Sequence, residues 1–150
     1  MNEKFVAAVE AIYRAAPDPS LWPAALQAIS DCSDDIGAVL LWHRDDGSFG
    51  VIASPGLAAA QTDYAENGWS KRDSRGNLAI QKSYWLRDEA VTERHFTTEA
   101  EIAADPFYMQ FLASHGLKWC ASIGVSPDPH VALSRAMLPK TTEILVLPGG

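Results

Sequence analysis

Six aromatic residues stand where side chains can do recognition chemistry: Trp42, Tyr64, Trp69, Trp85, Tyr108 and Trp119. Each offers a broad ring for stacking and an O–H or N–H that can orient a ligand. All fall near the faces of expected helices or strands, and the same six would serve equally well as plain core. Asp73 is the polar residue placed to work with them. A carboxylate beside aromatic surface accepts a hydrogen bond from a ligand amide or hydroxyl, whereas on an open loop it is merely solvated. The expected ligand-binding set is therefore Tyr64, Asp73, Trp85, Trp42, Tyr108 and Trp119, with no metal and no cofactor.

Catalytic patterns are missing from the sequence. There is no G-x-S-x-G, and no spacing signals a Ser-His-Asp or Cys-His set. Cys120 falls in an apolar run, where a buried inert thiol is expected. His43, His95, His115 and His130 are scattered, with no H-x-x-x-H and no C-x-x-C to hold a metal. His115 beside Gly116 reads as a cationic side chain at the negative end of a helix. Asp45-Asp46-Gly47 looks like a fragment of a calcium loop whose remaining ligands are missing. The reading is of a binding module, not an enzyme.

The 150 residues suit a single domain, and 47% hydrophobic with 21% charged residues is an ordinary globular balance. A net charge of −7 argues against direct contact with nucleic acid, which needs a basic face. The densest basic stretch, Lys71-Arg72-Asp73-Ser74-Arg75, is short and interrupted. No apolar run is long enough to span a bilayer, and the N-terminus lacks the apolar region of a signal peptide. The expected compartment is the cytoplasm, where Cys32 and Cys120 stay as free thiols.

Periodicity supplies the elements that must position these groups. Phe5, Ala8, Val9, Ile12 and Tyr13 mark an amphipathic helix over residues 3–14, and Ala16-Pro17-Asp18-Pro19 breaks it. Ser20 is the expected N-cap of a second helix, with Pro23 in its first turn and Trp22, Leu26 and Ile29 buried. Residues 36–43 and 49–53 read as a hairpin turning at Asp45-Asp46-Gly47. A third helix carries Leu57, Ala60 and Tyr64 and runs out at Asn67-Gly68. A charged loop over 71–77 follows, then a helical turn at 78–80, a short aromatic strand at 83–86 and polar loop over 91–97. Thr97 or Thr98 caps the next helix, and Asp105-Pro106 restarts it with Phe107, Tyr108, Phe111 and Leu112 inward and Gly116 as the stop. Strands are expected at 117–125 and 131–137, with a last one at 143–147. About five strands joined mostly by hairpins, with helices before and between them, make an α+β fold with a five-stranded antiparallel sheet.

The run AIYRAAPDPSLWPAALQAIS, the hairpin, the segment from Tyr64 to Arg75, and DPFYMQFLASHGLKW together resemble the N-terminal sensor region of LuxR-type helix-turn-helix transcriptional regulators. The resemblance covers residues 11–138, and Asp18-Pro19-Ser20-Leu21-Trp22-Pro23 and Phe107-Tyr108 followed by Gly116 are its most specific parts. It implies a PAS/GAF-like α/β/α sandwich that binds a small molecule, forms a homodimer and controls a separate DNA-binding domain. Autoinducer-binding members contact an acyl-homoserine lactone through a tyrosine and an aspartate nine positions apart, and Tyr64 and Asp73 stand at that separation. Ala60 stands where the family has a tryptophan, Ser74 replaces the usual proline, and Asp88 falls near a second tryptophan position with Trp85 close by. The ligand is thereby left open between an acyl-homoserine lactone, another small molecule and none. Family members continue into a further helix and the helix-turn-helix. This chain is thus expected to be an isolated sensor domain, excised or naturally truncated, whose residues 139–150 no longer follow the family. The alternative is a purely structural dimerisation module without a ligand.

Overall fold

Short polar caps and prolines set where the helices begin. In the computed structural model, Asn2 caps helix α1 (Glu3–Ala15) by accepting from the Lys4 N–H at 3.0 Å. Ala8 and Ala15 form its buried stripe, while Phe5 and Tyr13, both expected inside, are 55% and 76% exposed. The next helix does not start at Ser20. Asp18 caps a 3₁₀ turn over Pro19–Leu21, taking the Ser20 N–H and hydroxyl at 3.1 and 2.6 Å, and helix α2 (Trp22–Cys32) follows with proline in its first turn. Asp18 wins because its carboxylate reaches the orphan N–H two residues on. α2 packs on α1 and on the sheet, with Ala25, Leu26 and Ser30 buried.

The structure describes residues 2–44, 46, 49–76, 90–128 and 131–138, with the backbone alone described at 43, 49, 76, 125–128 and 131–138. The expected helical turn at 78–80, the strands at 83–86 and 143–147, Trp85, His130, and residues 45 and 47 of the hairpin turn lie outside the described residues.

Strands β1 (Gly37–Arg44) and β2 (Phe49–Ala53) form the expected hairpin, in register from Val39↔Ala53 to His43↔Phe49. Two later strands, β4 (Ala121–Asp128) and β5 (Val131–Leu138), pair antiparallel, and β5 lies beside β1. The segment 117–120, expected as the start of a strand, runs up to β4 without joining it, and β4 continues through Ser126 and Pro127 past an irregularity. A third, β3 (Val91–Thr92), pairs with Ser122 and Ala121 at the edge, where only polar loop was expected. Two residues are too few to show an alternating pattern in the sequence. The strand order is β2-β1-β5-β4-β3, and the chain is α+β.

Helix α3 (Ala58–Glu66) ends ahead of Gly68, as its sequence implied. Thr98 caps helix α4 (Glu99–Ala104) in a reciprocal box: its hydroxyl accepts from the Glu101 N–H at 3.3 Å, and Glu101 Oε2 accepts from the Thr98 N–H at 2.8 Å. Asp105 then accepts from the Phe107 N–H at 2.9 Å and restarts the chain as a π-helical segment, Phe107–Leu112. The wider turn is a feature that apolar spacing alone does not signal. Gly116 follows with φ 69°, the left-handed stop that glycine adopts without a Cβ clash.

The core gathers on these middle elements. Phe107, Tyr108, Phe111, Leu112, Leu117 and Trp119 are all buried, and Leu57, Ala60, Trp69 and Ile102 close around them. Val39 and Ala53, paired across the hairpin, present one face of the sheet to this cluster.

Candidate functional site

Asp73 lies between two 3₁₀ turns, Trp69–Lys71 and Ser74–Gly76, in the segment expected to be a solvated charged loop. It is not solvated: its side chain is 13% exposed and that of Arg75 is 19% exposed. Asp73 Oδ1 accepts from the Arg75 backbone N–H at 3.0 Å and from Arg75 Nε at 2.9 Å. Asp73 Oδ2 accepts from Arg75 Nη2 at 2.9 Å and from the Tyr64 hydroxyl at 3.1 Å. These four donors fill the acceptor positions of an ionised carboxylate. Burial alone would raise the Asp73 pKa, but the hydrogen bonds and charge of Arg75 overcome it and hold the carboxyl below its ordinary value. Burial works against the Arg75 charge in the same way, and Asp73 reverses that too, leaving the guanidinium raised and permanently charged. Tyr64 is pushed up to about 12, by burial first and then by the Asp73 charge and hydrogen bond, so its O–H stays a donor.

The elements around this trio are aromatic. The Arg75 guanidinium lies 4.6 Å from the centre of the Phe107 ring, a cation–π contact inside the core. Tyr64 packs edge-on to Phe107 at 6.4 Å and tilted on Phe111 at 5.8 Å. Trp69 meets the same two rings at 6.4 and 5.4 Å. Ser74 donates its hydroxyl to Asp105 Oδ2, which ties the Asp73 loop to the residue that starts the π-helical segment. A cleft of about 260 Å³ opens at this junction, lined by Ser74, Phe96, Thr97, Glu101, Asp105 and Tyr108.

Two further groups complete a buried polar cluster. Glu93, in the 3₁₀ turn Glu93–His95 just after β3, is fully buried, and its Oε2 accepts from the Cys120 N–H at 2.8 Å. Among the described residues, its other oxygen, Oε1, has no partner, and neither has the hydroxyl of buried Tyr108. An unmade hydrogen bond of this kind costs about 1–3 kcal/mol per group. Burial raises the Glu93 pKa above the ordinary carboxylate value; the hydrogen bond from Cys120 and the charge of Arg75 pull it back only in part. Tyr108 is raised above the usual phenol range, by burial and then by the nearby Glu93 charge. Cys120 is pushed up to about 12 by burial, so it is a neutral thiol.

Of the six aromatic and acidic residues expected to bind a ligand, the structure brings Tyr64, Asp73, Tyr108 and Trp119 into this one region. Trp85 lies outside the described residues. Trp42 is not brought there. It alternates with Val39 and Leu41 along β1, so its side chain projects from the sheet face opposite the core cluster. There it covers Gly50 of β2, whose missing Cβ leaves room for the indole, and carries the Arg44 guanidinium 5.0 Å from its ring centre. His115 has a different partner from the helix end assigned to it: its Nε2 lies 2.7 Å from Asp63 Oδ2, on α3. Arg75 and Glu93 were missed by sequence reasoning. The Asp73-x-Arg75 spacing was a signal for a local turn pair. Glu93 had none, because the two-residue strand that buries it is itself invisible in the pattern. Among the described residues, no three His, Cys, Asp or Glu side chains are grouped to hold a metal.

No family model matches the chain, and no curated protein matches it in sequence. Solved structures do match its fold. CepR2 from Burkholderia cenocepacia, an N-acylhomoserine-lactone-dependent LuxR-family transcription factor, superposes with a TM-score of 0.58 at 14% identity, over 94% of this chain and 79% of that one. The VqsR ligand-binding domain from Pseudomonas aeruginosa gives 0.63 at 12% identity, over 94% and 83%. At identities this low the likeness is one of fold, and it is the fold of ligand-binding domains of LuxR-family regulators.

Proposed function

We propose that this chain is a non-enzymatic sensor domain of a LuxR-type regulator. It takes up a small molecule between the aromatic cluster and the sheet and signals through a homodimer. The observation that carries the reading is the Tyr64–Asp73 hydrogen bond, at the nine-residue separation of the family's ligand contacts, inside a core built of aromatic rings. The fold shared with two regulator domains supports it. On this reading the architecture is a PAS/GAF-like α/β/α sandwich, with α1 and α2 on one face of a five-stranded sheet and the aromatic cluster on the other. DNA contact belongs to a helix-turn-helix unit outside these 150 residues, and the place of action is the cytoplasm. No described helix is long and apolar enough to cross a membrane.

The ligand differs from an acyl-homoserine lactone in how it is held, because Arg75 already occupies the carboxylate that would receive a lactone's amide. A thermal-shift screen across metabolites and lactones tests the reading, since a ligand that binds only the folded state raises the melting temperature with concentration. At least one compound is expected to do so; a flat response across the panel would leave a structural module. That second reading, dimerisation without a ligand, is favoured by the exposed Phe5 and Tyr13 on α1.

A further inference from the structure

Glu93 and Tyr108 come from different elements, the 3₁₀ turn after β3 and the π-helical segment, yet both are buried close enough to the Asp73–Arg75 pair to feel its charges, and among the described residues each holds one polar atom without a hydrogen-bond partner. The two orphans are chemically complementary to one kind of guest. A carboxylate oxygen lacks a donor, and a hydroxyl lacks a partner of either kind. Asp73 cannot supply the recognition, because Tyr64 and Arg75 donate to both of its oxygens. The Arg75 charge compensates Glu93 only in part, while Asp73 grips the same guanidinium through Nε and Nη2. The hydrogen bond that Glu93 does receive comes from a neutral backbone N–H, that of Cys120. Beside Tyr108 the wall is apolar: Phe107 meets its ring edge-on at 5.8 Å, and Trp119 is buried in the same cluster.

We propose that the polar head of the ligand is read by Glu93 and Tyr108, and that it is a protonated amine. The ammonium donates to Glu93 Oε1, an adjacent oxygen or N–H of the ligand pairs with the Tyr108 hydroxyl, and an apolar or aromatic body lies against the rings. Tyr64, Asp73 and Arg75 then form a closed internal brace that shapes the wall without touching the guest. The inference rests on the sensor reading and narrows its ligand to a cationic class.

Matched probes that share one ring and differ in the head group separate the possibilities: phenethylammonium, 2-phenylethanol and 3-phenylpropionate, with N-octanoyl-homoserine lactone beside them. Phenethylammonium is expected to raise the melting temperature of the full chain more than the alcohol or the acid. Glu93→Gln keeps an acceptor for the Cys120 N–H but removes the charge, and it is expected to raise the Kd for the amine tenfold or more, on the order of one charge-assisted hydrogen bond. Tyr108→Phe is nearly isosteric, tests the second contact should the first variant not fold, and is expected to raise the same Kd about threefold. Binding of 3-phenylpropionate as tight as that of the amine, or an amine affinity that neither variant changes, overturns the inference. A response to the lactone alone overturns it while leaving a sensor domain; no response to any probe counts against both.

Discussion

Asp73 and Glu93 are two buried carboxyls a short way apart in one cluster, and their surroundings drive them in opposite directions. Arg75 holds Asp73 ionised, below the ordinary value, whereas burial favours the neutral form of Glu93. Their contributions to stability therefore have opposite pH signs. The Asp73 contribution is complete above the ordinary carboxylate pKa of about 4 and is lost as pH falls through its depressed folded value. Glu93 acts the other way: its penalty is absent below about 4 and grows as pH rises toward its elevated folded value. Asp73→Asn leaves Arg75 buried against a neutral amide, so it is expected to cost about 3 kcal/mol near neutral pH and progressively less in acid. Glu93→Gln is expected to gain on the wild type as pH rises above about 4. Urea melts from acid to neutral pH check both, and parallel profiles for the two variants would refute the assignment.

Among the elements, the segment from Thr98 to Gly116 does the most positioning. Its threonine cap, its Asp105 restart and its glycine stop are all written in residue types, and each forms as the sequence implied. What the sequence does not encode legibly is the extra turn width of Phe107–Leu112, since the same apolar residues face inward in an α- or a π-helix. Phe107 is the pivot. It is fully buried, meets Tyr64, Trp69, Tyr108 and Phe111, and lies under the Arg75 guanidinium. Phe107→Ala is expected to cost about 3–5 kcal/mol and to loosen the Asp73–Arg75 brace along with the core. Chemical denaturation measures the first, and loss of protection at the Arg75 amide in hydrogen exchange reports the second. A cost under about 1 kcal/mol would show that the rings repack without it.

At the scale of the whole molecule, hairpins and caps were legible because they depend on neighbours in sequence. The β1–β2 pairing follows from two strand-forming runs close together in sequence, and the helix boundaries follow from caps, prolines and glycines. Long-range consequences were not legible. Edge strand β3 is too short to show a period, so the burial of Glu93 behind it left no trace, and the ion pair of Asp73 was missed because Arg75 looked like one more loop charge. Trp42 and Trp119 are equivalent as letters, and only the pairing of β1 with β2 places the first on the sheet face opposite the core.

The central claim is that a small molecule binds where the buried polar cluster meets the aromatic rings. A titration of the ¹⁵N-labelled chain with its best thermal stabiliser, followed by amide correlation spectra, tests that claim most directly. The account predicts saturable shifts that move together at Tyr64, Asp73, Glu93, Tyr108 and Cys120, while α1 stays still. Shifts confined to the exposed face of α1 around Phe5 and Tyr13, or no saturable shifts at all, would contradict it.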